Sequence, residues 1–229
     1  MDDPTRETEP LSTEDRWISI VFFLILVGLF TAEICVNYRP VKLTALFIVL
    51  FWIPLLAVHE AGHAVVAALL GWRVHRVVIG AGRPLLRFAV GRAPVEIRMF
   101  PVEGFVLPTP TNLRAPRLKS ALIYFAGPGA TLLVLALLVA VLGPARLLSQ
   151  TEDMWLLAAQ SLAVTVLASA FLTLVPHYII DCKRRVANDG LGIIRSFLHT
   201  RADYARLMED ARAFSPPEPE DEPEERDGW

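Results

Sequence analysis

The residues from Leu43 to Leu70 form an unbroken apolar run with one charged side chain, Glu60, and two histidines, His59 and His63. At about 1.5 Å of rise per residue, a helix of this length crosses a hydrocarbon core of roughly 30 Å. A carboxylate inside such a run is costly unless it has a partner or a task. The histidines are four residues apart, so a helix sets them on one face about one turn from each other. His59-Glu60-Ala61-Gly62-His63 can therefore offer two imidazole nitrogens to one zinc ion, with Glu60 beside them to handle a proton. The bland alternative is an accidental pair of core histidines. The intramembrane carboxylate argues against it.

Three further apolar runs lie at Trp17–Val36, Ala121–Leu142 and Met154–Ile180. The chain is 54% hydrophobic yet 20% charged, so its charges are segregated between the runs. The expected fold is mainly α: a polytopic membrane protein with about four transmembrane helices, at 17–36, 43–70, 121–142 and 154–180. These form one membrane-embedded domain over 17–200, after a polar segment at 1–16. Beyond it, 201–229 reads as a short amphipathic helix, Ala202 to Phe214, and an acidic, disordered tail. Residues 1–17 are acidic rather than basic and lead into a full-length span, which is not the pattern of a cleavable signal. Cys35 and Cys182 have no zinc-ligand spacing and are expected as free thiols. Glu33 is expected to reach the interface. Pro54 should kink the second run or free a carbonyl just ahead of the histidines, and the Gly and Pro of Phe125 to Thr131 should break or loosen the third.

Residues 72–118 are the one long connection. Val74–Ile79, Leu85–Val90 and Val95–Phe100 are rich in β-branched and aromatic residues, with glycines between them, and are expected to form a small β-hairpin or sheet at the membrane surface. The arginines of this loop suggest nucleic acid at first sight. In a membrane chain they point instead to a cytoplasmic loop against the anionic lipid bilayer, with no nucleic acid. Of the 22 Lys and Arg, only Arg39, Lys42 and Arg146 fall in the two short turns. The positive-inside rule then places both termini in the cytoplasm.

A catalytic zinc site usually takes three protein ligands. His177 beside Pro176 is one candidate for the third, and Asp181 and Asp189 are the carboxylate candidates. Ile79-Gly80-Ala81-Gly82, Phe100 to Val106, Phe125-Ala126-Gly127-Pro128, Thr173-Leu174-Val175-Pro176 and Asn188-Asp189-Gly190 follow the His-Glu motif in order. Together they resemble the site-2 protease family of intramembrane zinc proteases, in a minimal form without PDZ or nucleotide-sensing modules, over roughly residues 43–195. The resemblance implies one zinc per chain on His59, His63 and Asp189, or Asp181 in its place. Asp189 is favoured because Asp-Gly suits a tight turn and an apolar run follows to anchor it. Gly104, Gly127, Pro128 and Thr131 are implied as substrate-binding positions. Thr131 and Thr173 stand where the family has asparagines, and Asp189 lies farther from Pro176 than in the commonest form.

The function implied is hydrolysis of peptide bonds in or near the transmembrane segments of membrane proteins, in a bacterial plasma membrane. Glu60 would be the catalytic base. A catalytically inactive family member acting as a membrane-segment-binding scaffold or regulator is the alternative. A metal transporter would need polar residues along several spans, and few are present.

Overall fold

The computed structural model describes residues 13–36, 38–91, 93–181 and 184–213. Expectations that fall on residues 1–12, on Cys182 or on the acidic tail lie outside these. The order of elements is α1 (Thr13–Val36), α2 (Thr44–Leu69), β1 (Arg73–Val90), β2 (Ala93–Thr109), α3 (Pro116–Leu142), α4 (Pro144–Leu147), α5 (Met154–Leu174), β3 (Tyr178–Asp181), β4 (Arg184–Ala187), α6 (Asp189–Leu198) and α7 (Arg201–Ala213), with a 3-10 turn at Pro40–Leu43.

Three segments are long and apolar enough to cross a membrane: Pro40–Leu69, Pro116–Leu142 and Met154–Leu174. Four were expected. The remaining run is helical as α1, but among the described residues its apolar stretch is the shorter Val27–Val36. Its Glu33 is exposed and pairs with Lys42, which ties the end of α1 to the turn before α2. Cys35 is an exposed free thiol.

The body of the protein is α2 packed on α3 and α5, with α6 against α3. The buried residues of α2 are Leu55, His59, Glu60, His63 and Ala67, a single stripe at helical spacing. The opposite side exposes Leu46, Val49, Leu50, Ile53, Val65 and Leu69. A helix this apolar on its outer face suits lipid rather than water. Gly62 lets α3 approach closely, since a Cβ there would lie 2.5 Å from the Ala126 carbonyl oxygen.

Two expectations about the helices are corrected. Pro128 lies inside a continuous α3, which is not broken at Gly127-Pro128-Gly129; Pro54 lies inside α2. Dense neighbours hold α3 together here: Ala126, Gly127, Pro128 and Thr131 are all buried. The last run stops as a helix at Leu174 rather than continuing to Ile180, because Pro176 forces the residue before it into extended backbone. Tyr178–Asp181 and Arg184–Ala187 then pair antiparallel as the β3–β4 hairpin.

β1 and β2 pair antiparallel with several register shifts. Val77, Val78 and Ile79 each have two partners, Val95, Glu96 and Ile97 on one side and Val106, Phe105 and Gly104 on the other, so they form the centre of the sheet. Gly80 and Gly82 take positive φ where the first strand bends. Residues 101–109 are strand throughout, so β2 includes Phe100 to Val106, which the resemblance assigns to a surface hairpin, and runs on to Thr109. Glu96 meets Arg76 at 2.7 Å and Arg87 and Arg98 at 3.3 Å. The Arg76 hydrogen bond, with help from Arg98, holds its carboxyl below the ordinary carboxylate range.

The expected amphipathic helix is present as α7. Tyr204, only 2% exposed, joins Ala67, Trp72 and Ile123 in a compact apolar cluster and donates its hydroxyl to the Ser196 carbonyl oxygen at 3.1 Å. α7 thus fastens the end of α2, the first third of α3 and the end of α6 to one another.

Candidate active site

His59 and His63 project from the buried stripe of α2, and their Nε2 atoms lie 3.1 Å apart. Asp189, the first residue of α6, meets both: Oδ2 is 2.9 Å from His59 Nε2 and Oδ1 is 3.3 Å from His63 Nε2. The ligand atoms of these three residues all lie within 4.8 Å of one another. Four donors arranged tetrahedrally at about 2.0–2.1 Å from a zinc ion are roughly 3.3 Å from each other, so these spacings suit one small cation.

Further observations bear on that fit. His63 Nδ1 lies 2.6 Å from the Ile123 carbonyl oxygen. A carbonyl only accepts, so the proton of the neutral ring is on Nδ1 and the Nε2 lone pair is directed at the cluster. Glu60 and Asp189 add two carboxylates in a mostly buried place, with side-chain exposures of 4% for the Glu60 residue and 15% for Asp189. Among the described residues, neither is paired with a lysine or arginine. Buried carboxylates without cationic partners are costly, and a divalent cation is the partner this donor set fits. Glu60 Oε2 is buried with no hydrogen bond from the protein.

The walls of the site are glycines. A Cβ at Gly127 would fall onto His63 Nε2 and within 2.6 Å of His59 Nε2, so α3 must carry glycine for the imidazoles to sit there. Gly104 of β2 lies over Glu60, where a Cβ would be 2.7 Å from Oε1. The sheet therefore reaches the carboxylate that the sequence marks as the proton handler.

Other expected positions fall elsewhere. His177 is exposed, with Nδ1 2.8 Å from the Val175 carbonyl oxygen, and is not in the cluster. Asp181 lies at the end of β3, within the hairpin. Thr131 is fully buried and donates its hydroxyl to the Pro128 carbonyl at 2.9 Å, and Thr173 bonds the Ser169 carbonyl at 3.0 Å. Both hydroxyls are thus used within their own helices. Asp189 does not sit in a tight turn, the reason given for favouring it. It opens a helix that Asn188 caps through a hydrogen bond from the Leu191 N–H. Asn188 was named only as part of Asn188-Asp189-Gly190, without a role, and the Ile123 carbonyl was missed. The first carries a legible signal, an Asn immediately before a helix start; the second is backbone and carries none.

No curated protein matches this sequence. The model of peptidase family M50 matches residues 46–204. That interval holds the His-Glu motif, the sheet, the Gly-Pro stretch of α3, the end of α5 and Asp189, in the order the site requires. The chain belongs to peptidase family M50, the site-2 protease family of intramembrane metalloproteases.

Proposed function

We propose that this chain is an intramembrane zinc endopeptidase that cuts membrane proteins in or near a transmembrane segment. The observation that carries the reading is the convergence of His59, His63 and Asp189 beside a buried, unpaired Glu60. His59, His63 and Asp189 would hold the metal. When bound, zinc supplies Lewis-acid polarisation of a carbonyl and brings the pKa of water toward neutrality.

The chain's own residues do the rest. The Ile123 carbonyl fixes the His63 tautomer and ring orientation. Glu60 accepts a proton from the attacking water and returns it to the leaving amide nitrogen. Gly104 keeps β2 close to that carboxylate, so a substrate segment in extended form, laid along β2 by strand addition, would run past Glu60. Unwinding is required because a helical peptide holds its carbonyls in hydrogen bonds. Gly127 of α3, against His59 and His63, borders this path; Pro128 and Thr131, both fully buried, do not line it. The basic β1–β2 loop against anionic lipid supports a cytoplasmic sheet and cytoplasmic termini, with α1 as a fourth span.

The test is cleavage of co-expressed single-span substrates by the wild type and Glu60→Gln, with zinc measured on both. Zinc retained and cleavage lowered by at least about 10²-fold in the variant is the expected outcome, in line with loss of a general base. Equal processing by both proteins sinks the reading. It would favour instead a non-catalytic, segment-binding role, consistent with threonines at 131 and 173 whose hydroxyls are tied to their own helices.

A further inference from the structure

Between α5 and α6 the chain leaves for the β3–β4 hairpin and returns, and Asn188 closes the base of that excursion. Asn188 is buried, with 6% exposure. Its backbone N–H donates to the His177 carbonyl oxygen at 3.2 Å, and the His177 N–H donates to Asn188 Oδ1 at 3.1 Å. The same Oδ1 accepts the Leu191 N–H at 3.0 Å and so caps α6. On the other side, Nδ2 lies 2.7 Å from the Val175 carbonyl oxygen and 2.9 Å from that of Thr173, at the end of α5. A primary amide has two N–H donors and two acceptor lone pairs. Here all four are in use. Gly190 presses directly on the Leu174 carbonyl, leaving no room for a Cβ. The residue between these two anchors is Asp189.

We propose that Asn188 is the positioning residue that sets the Asp189 carboxylate against His59 and His63, by locking the end of α5 to the start of α6. The inference rests on the metal-site reading above. Helix capping alone does not account for the residue. Asp and Ser cap as well as Asn, yet neither supplies two N–H donors. An Asp at 188 keeps the capping oxygen but turns lone pairs toward the Thr173 and Val175 carbonyls, which can only accept. The end of α5 would then move off the start of α6. His59 and His63 need no such help, because one helix sets their spacing. Asp189 is held by this junction together with the packing of α6 on α3, and the junction alone fixes the first residue of the helix, since the hairpin packs mainly on itself, with a minor contact to α6. Supports of metal ligands typically change metal affinity by about 10–100-fold when removed.

The experiment measures zinc affinity by chelator competition on the detergent-purified full chain, for the wild type, Asn188→Asp and Asn188→Ser, with helicity followed by circular dichroism. The expected result is about a 10–100-fold loss of zinc affinity in both variants at wild-type helicity. Asp is the sharper case, because a carboxylate added beside a bound cation would by charge alone tighten binding. Wild-type zinc affinity in Asn188→Asp overturns the proposal and leaves Asn188 as a helix cap. If Asn188→Asp does not fold, Asn188→Ser, which caps without adding charge, decides by the same criterion. A wild-type chain that takes up no zinc fails the metal-site reading itself, and the inference with it.

Discussion

The two halves of the His59–His63–Asp189 cluster are built by different means. On α2, His59 and His63 are one helical turn apart within a continuous helix, so their relation is fixed by local geometry. At the α5–α6 junction, Asp189 arrives after a helix end, an excursion through β3–β4 and a new helix start. Its place is fixed by contacts distant in sequence: Gly190 on Leu174, Asn188 on Thr173 and Val175, and its own oxygens on the two histidines. A local device is robust and easily read; a junction is sensitive to each contact that makes it.

The largest expected effect breaks the comparison at its chemical end. Asp189→Ala should lose stoichiometric zinc as completely as His63→Ala, while Asp181→Ala should retain it, with metal content by elemental analysis as the measure. Zinc lost only in Asp181→Ala would move the third ligand into the hairpin. Gly127→Ala comes next. Its Cβ would lie 2.3 Å from His63 Nε2 and 2.6 Å from His59 Nε2, so activity and zinc should fall together, by at least the roughly 10–100-fold seen when a ligand's support is disturbed. An unchanged variant would mean that α3 can back away from α2.

A smaller effect separates the metal from the scaffold. Chelator treatment should lower thermal stability by about 2.7 kcal/mol relative to protein held at zinc a hundred times its dissociation constant. Unfolding monitored by differential scanning fluorimetry measures this, and coincident curves would mean that no metal is bound. Tyr204→Phe removes only the bond to the Ser196 carbonyl and should cost about 1 kcal/mol, whereas Tyr204→Ala also opens the Trp72 cluster and should cost about 3–5 kcal/mol. The smallest effect concerns the hairpin. Replacing residues 180–185 by a short Gly-containing turn should leave zinc affinity unchanged, since Asn188 and His177 close the loop at its base. A loss equal to that of Asn188→Asp would show that the hairpin, not the amide, positions Asp189.

Much of this was legible in the chain. The apolar stripe with Glu60 in its midst located the site. The β-branched segments and glycines of residues 72–118 located a sheet, and the Asn-Asp-Gly triplet marked the acid. Periodicity could not tell where α5 stops being a helix, because Tyr178 to Ile180 is as apolar as the residues before it and only the backbone effect of Pro176 separates them. Nor could it tell that α3 would stay continuous through Gly127-Pro128-Gly129. Those residues disfavour a helix in isolation and are held in one by burial against α2.

By itself, then, the sequence determined the two histidines and their glutamate, because helical spacing is a local property that needs no partner. It also determined that the surrounding runs must be sheltered from water, because their composition leaves no other stable option. The sequence favoured Asp189 over Asp181 on its Asp-Gly pair; that its carboxylate faces both histidines from the start of a helix was decided only by the tertiary structure. So were the tautomer imposed by the Ile123 carbonyl and the approach of Gly104 and Gly127 to the reactive side chains. Each of these depends on groups far apart in sequence coming into contact, which no local pattern encodes.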